Sequence, residues 1–201
     1  MVCSRAQMCW RHDIVAETWA AICCDARLAA HLKQKAVEFP PDADLRRESD
    51  VYCRGAGGDL PVHADVVVTS SAHCNGGRWE ANGDGIAVAR EARRKQREWG
   101  EKSLGRAPAR LVPLAFESQG KWCTQAVEEL ARLARFKSSQ LSTSPRDAAV
   151  AASGCQRRWR TWVSISLQRG NAAMVLAALG RPLPTPLDAD LLQAAPELHE
   201  D

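Results

Sequence analysis

The chain has 201 residues, 45% hydrophobic and 25% charged, which is enough for one packed domain of ordinary globular composition. No apolar run reaches the ~18 residues that suggest a membrane-spanning helix, and MVCSRAQMCWRHD lacks a signal-peptide core, so no membrane association and an intracellular location, the nucleus included, are expected. The formal net charge is +3, but residues 182–201 hold five acids and no Lys or Arg, so a basic body precedes an acidic tail and suits an anionic partner.

In chain order, Asp13 is placed to cap a helix from about Ile14 to His31, with Ile14, Val15, Thr18, Trp19 and Ile22 at helical spacing. KAVEF (35–39) reads as a short strand stopped by Pro40-Pro41. Asp50–Arg54 and Val62–Thr69 read as strands joined by GAGGDLP, longer than a tight hairpin turn. The run Val66-Val67-Val68 suits a central strand covered on both faces. Residues 70–84 read as a loop rich in Gly, Asn and Ser. A helix follows from Gly85 to Trp99, apolar at its start and basic at its end. LVPLAFE (111–117) is the last strand, and Pro113 places it near an edge or at a bulge. Two helices close the body, Thr124 to about Lys137 and about Cys155 to Leu179, the second preceded by an alanine-rich stretch that is also open to helix and ended by Gly180 and Pro182. The order helix, strand, strand, strand, helix, strand gives an α/β fold with a mixed sheet, because hairpin-linked strands are antiparallel. The expected segments are an extension at 1–10, an α/β domain at 11–137, a helical extension at 138–180 and an acidic, Pro-rich, disordered tail at 181–201.

Eight cysteines without paired CxxC spacing are expected as reduced, mostly buried thiols. Cys3, Cys9 and His12 offer three zinc ligands, one fewer than structural zinc usually takes.

The chemistry centres on two aspartates in β runs, Asp50 and Asp65. A charge there is costly unless exposed, paired or metal-bound. If the two strands form one hairpin, both acids converge at one end of the sheet and can hold Mg²⁺ or Mn²⁺, with a bound phosphate completing the shell. Lys95, on the basic helix, is the candidate amine that orients water or stabilises developing charge. Arg90, Arg93, Arg94 and Arg97 flank it, and those at helical spacing share a face suited to backbone phosphates.

The order of these motifs resembles the C-terminal region of non-LTR (LINE-like) retrotransposon polyproteins, which carry a restriction-like endonuclease of the PD-(D/E)XK superfamily. The resemblance rests on Arg11-His12-Asp13, Ser49-Asp50-Val51, Ala64-Asp65-Val66-Val67-Val68 and Lys95-Gln96-Arg97-Glu98-Trp99, followed by LVPLAFESQGKW and WVSISLQRGNAAMVLAAL. It covers roughly residues 10–179. It implies an αβββαβ restriction-endonuclease-like core with C-terminal helices. It also implies metal ligation by Asp50 and Asp65 with Glu38 as a further carboxylate, catalysis by Asp50, Asp65 and Lys95, and contact of His12 with a phosphate of DNA. Two departures stand out: Ser49 takes the place of a proline, and Glu98-Trp99 takes the place of Lys-Tyr. The alternatives are a catalytically inactive nucleic-acid-binding remnant and a cysteine-rich protein-interaction domain presenting Trp159, Trp162, Ile165 and Leu167.

Overall fold

The computed structural model describes residues 5–32, 49–54, 60–75, 78–81, 83–102 and 109–181, with side chains undescribed at 5–8, 72–82, 101 and 102. Helix α1 spans Arg5–Asp25 and strand β1 spans Ala30–Leu32. Strands β2 (Val51–Cys53) and β3 (Val62–Thr69) precede a small hairpin, β4 (Ala72–Asn75) and β5 (Arg78–Ala81). Helix α2 (Ile86–Lys102), strand β6 (Arg110–Glu117), helix α3 (Thr124–Leu141) and helix α4 (Pro145–Ala178) complete the order. The class is α/β. The main sheet runs β1-β2-β3-β6, with β1, β2 and β3 antiparallel in turn and β6 parallel to β3.

Alternation along the strands builds a layered structure. Val51, Cys53, Val62, Ala64, Val66, Leu114 and Phe116 join Val15, Trp19 and Ile22 of α1, Leu130 and Leu133 of α3, and Trp159 and Val163 of α4 in one core. The opposite side of β3 presents His63 and Asp65, which meet Trp99 and Lys95 of α2. Helix α2 therefore covers one face while α1, α3 and α4 cover the other. The central position expected for Val66-Val67-Val68 holds, since β3 lies between β2 and β6. Pro113 lies on β6, at the sheet edge, where its missing N–H breaks no ladder.

The helix expected to reach His31 ends instead at Asp25, and Ala30-His31-Leu32 pairs with β2. The stop is made by Arg27, which adopts φ 63°, with Arg27 N–H donating to Cys24 O at 2.8 Å and Leu28 N–H to Cys23 O at 3.0 Å. This is a Schellman ending with arginine where glycine is usual. The segment read as a loop at 70–84 contains the β4–β5 hairpin, in which Asn75 is opposite Arg78 across two residues. Helix α4 begins ten residues before Cys155, at Pro145, where Ser144 Oγ accepts from Asp147 N–H. The strand expected at 35–39, Glu38 and the tail from 182 onward lie outside the described residues. The boundary expected at 137/138 falls inside α3, and α4 shares the core with α1 and the sheet.

Candidate functional site

Register brings the two aspartates together. Val51 is paired with Ala64, so the next step along the ladder sets Asp50 beside Asp65, and Asp50 N–H donates to Ala64 O at 3.1 Å. Strand β2 begins at Val51 while β3 continues to Thr69. The Val66 N–H, on the β2 side of β3, would lose its ladder partner there. Asp50 Oδ2 takes it instead, accepting at 2.7 Å. The Asp50 carboxylate thus fills the gap past the end of a short strand, at the seam between the two helical layers.

Each layer contributes a cation. From α1, His12 Nε2 lies 3.0 Å from Asp50 Oδ2, and Nδ1 lies 2.9 Å from Asp13 Oδ1. From α2, Lys95 Nζ donates to Asp65 Oδ1 at 2.8 Å. The Asp50 and Asp65 carboxylates stand within hydrogen-bonding reach of each other. Both Asp50 and Asp65 are half-buried, with side chains 12% and 19% exposed, so their charges interact through little water.

The electrostatics follow from that crowding. Burial raises Asp65, and the neighbouring Asp50 raises it further against the pull of Lys95, leaving its pKa at about 6. Burial opposes the charge of Asp50 too, but His12 and the hydrogen bond shared with Asp65 outweigh it and hold Asp50 at about 2. His12 is opposed by burial, yet its bonds to Asp50 and Asp13 raise it to about 9. Near neutrality the imidazolium is charged and donates through both ring nitrogens.

Of the residues expected at the site, Asp50, Asp65, Lys95 and His12 are brought together. His12 is placed on Asp50 and Asp13. The arginines are not on this cluster. At about 100° per residue, Arg93 and Arg97 stand about 160° around α2 from Lys95, and both are exposed. Arg94 is held by Glu91 at 2.8 Å and Glu98 at 2.6 Å, and Arg90 approaches Glu91 at 3.6 Å.

Three residues not singled out as site residues stabilise the arrangement. Ser49 Oγ bonds His63 Nδ1 at 2.9 Å, giving the serine at the expected proline position a buried partner. Trp99 packs on His63 with ring centroids 4.8 Å apart, so the residue in the tyrosine position anchors α2 above Asp65. Asn171 of α4 accepts from Arg11 at 3.2 Å and donates to Ser118 O at 2.7 Å, fixing α1 one residue from His12. Arg11 and Asn171 are 160 residues apart, and no local pattern signals such a contact.

Two carboxylates at a strand end fit a hard divalent cation, which keeps several waters and takes one or two protein carboxylates. Among the described residues, no group of three or more His, Cys, Asp or Glu is arranged to hold a metal. Cys23, Cys53 and Cys123 are buried free thiols, while Cys9 and Cys24 are exposed. No described helix is long and apolar enough to cross a membrane. No family model and no characterised protein matches the chain.

Proposed function

We propose that the chain is a restriction-endonuclease-like αβββαβ domain, of the kind carried by non-LTR retrotransposons, that hydrolyses phosphodiester bonds of DNA with Mg²⁺ or Mn²⁺. The observation that carries this reading is the junction of Asp50, Asp65 and Lys95 at one end of the sheet, with Lys95 Nζ 2.8 Å from Asp65.

Asp50 and Asp65 would hold the ion, which supplies charge neutralisation at the phosphoryl group when bound. In the reaction, a water oxygen forms a bond to phosphorus and gives up a proton to solvent, while the bond from phosphorus to the leaving sugar oxygen breaks and that oxygen takes a proton from solvent. Lys95 steadies Asp65 and presents an ammonium where negative charge develops on the phosphate. His12 and the Val66 N–H fix the direction of Asp50 and keep it ionised. The exposed Arg93 and Arg97 are free to meet backbone phosphates further along a duplex.

The test is nicking of supercoiled plasmid by purified protein in Mg²⁺ or Mn²⁺, beside Asp65→Ala. Nicking by the native chain and its loss in the variant support the proposal; equal nicking by both removes Asp65 from the chemistry. A second reading, an inactive nucleic-acid-binding remnant, is favoured by the pairing of each carboxylate with a side-chain cation. It requires salt-sensitive DNA binding with no nicking in either metal.

A further inference from the structure

Between Ala148 and Arg181 the chain contains no Asp or Glu and five arginines, at 157, 158, 160, 169 and 181. Almost all of this stretch is α4. Its inward side is settled: Trp159, Val163, Ser166, Leu167 and Gly170 are buried against the rest of the body. Arg158 is also committed, donating to Asp25 at 2.6 Å and lying over Trp162 at 5.5 Å.

The outward side is different. Arg157 and Arg160 are exposed, stand three residues apart on neighbouring turns, and make no ion pair among the described residues. Thr161, Ser164 and Gln168 continue the same face, also exposed. A groove of about 810 Å³ lies along this face, lined among the described residues by α4 alone, away from the carboxylate pair. The contrast with α2 is informative. There Arg94 is neutralised by Glu91 and Glu98, whereas the one acid of α4, Asp147, lies ten residues before Arg157 and is bonded to Ser144 at the helix start.

We propose that the outer face of α4, centred on Arg157 and Arg160, is a contact surface for the phosphate backbone of a nucleic acid. This rests on the nucleic-acid part of the reading above, and it adds a binding surface on an element outside the αβββαβ core. The chemistry selects the partner. Arginine offers a planar set of donors matched to phosphate oxygens. Hydroxyl and amide side chains are the usual companions of such contacts. Contacts of this kind position a duplex without reading its sequence, and each neutralised phosphate leaves its mark on the salt dependence of binding.

The experiment is a fluorescence-anisotropy titration of the full chain with a labelled DNA duplex over a series of salt concentrations, native against Arg157→Gln/Arg160→Gln. Both positions are exposed, so a circular-dichroism melt should be unchanged. The expected result is weaker binding, with the slope of log affinity against log salt shallower by about 2, one for each lost phosphate contact. An unchanged slope in a variant that still binds overturns this inference and leaves the metal-site reading standing. No duplex binding by the native chain overturns this inference together with the nucleic-acid reading. If Asp65→Asn neither cuts nor loses this α4-dependent binding, the surface holds without the nuclease. If the two arginines affect binding of a labelled poly-glutamate peptide and not of DNA, the face serves an acidic polypeptide and the proposal fails.

Discussion

His12 holds Asp50 from a separate layer of the fold: its Nε2 lies 3.0 Å from Asp50 Oδ2 while Asp13 takes the other ring nitrogen at 2.9 Å. The consequence is a pH-dependent clamp. The pKa of His12 rises from an ordinary 6.5 to about 9 on folding. Its stabilisation is therefore complete below about pH 6.5 and lost as pH climbs through about 9. With its side chain 31% exposed, the contribution is discounted for solvent to about 2 kcal/mol. Urea denaturation of the native chain and His12→Gln should show a gap near pH 6 that narrows by pH 10. A gap independent of pH would contradict the clamp.

Asp65 has the opposite character for a carboxylate. Its pKa is raised to about 6 by burial and by Asp50, so the folded state favours its protonated form. That preference stabilises the fold below about pH 3.9 and is lost as pH rises through about 6. Asp65→Asn removes this titration. Its stability relative to the native chain should therefore improve between about pH 4 and pH 7, while any metal-dependent nicking disappears. Thermal melts at a series of pH values provide the measurement.

Among the described residues, Lys95 is the one cation paired with Asp65. Lys95→Met should leave Asp65 facing Asp50 with less compensation and push its titration midpoint further up. A ¹³C-carboxyl NMR titration reads this directly. The variant should also lose at least about a hundredfold in nicking, the usual scale for removing one preorganised charge. An unmoved midpoint would mean that the 2.8 Å contact carries no electrostatic weight.

Gly170 is required by packing. A Cβ there would collide with Arg11 Cγ and stand 3.0 Å from its Cβ and 3.2 Å from its Cα. The Cα belongs to backbone and cannot swing aside. In an open helix Gly→Ala gains about 1 kcal/mol, but overpacking costs about 1–3 kcal/mol. Gly170→Ala should therefore lower the melting temperature and disturb the Arg11–Asn171 bond beside His12.

Arg27 supplies the reverse case. It occupies a left-handed position at φ 63°, is exposed, and ends α1 where glycine would do so without strain. Arg27→Gly should raise stability by about 1 kcal/mol in a denaturant titration.

These positions also explain what was legible. The hairpin between Asp50–Arg54 and Val62–Thr69 was readable from alternation and glycine, and once paired it carries Asp50 to Asp65 by register alone. Lys95 was readable as a lysine on the next helix, and helical spacing carries both Lys95 and Trp99 to the sheet. The end of α1 is not legible because Arg27 stands at a glycine position and Ala29-Ala30 favours helix by propensity. The β4–β5 hairpin did have a signal, Gly76-Gly77 between two short runs, but those runs lack a marked apolar alternation. The seating of His12 on Asp50 was not legible, because it depends on how α1 crosses the sheet. The same crossing brings Gly170 and Asn171 to Arg11.

The most direct measurement is diffraction from crystals of the protein grown with Mn²⁺, using anomalous scattering to locate the ion. A peak is expected between Asp50 and Asp65, with an oxygen of each carboxylate about 2.0–2.6 Å from it. A map with no peak there at saturating Mn²⁺, the two aspartates still held by His12 and Lys95 alone, would contradict it.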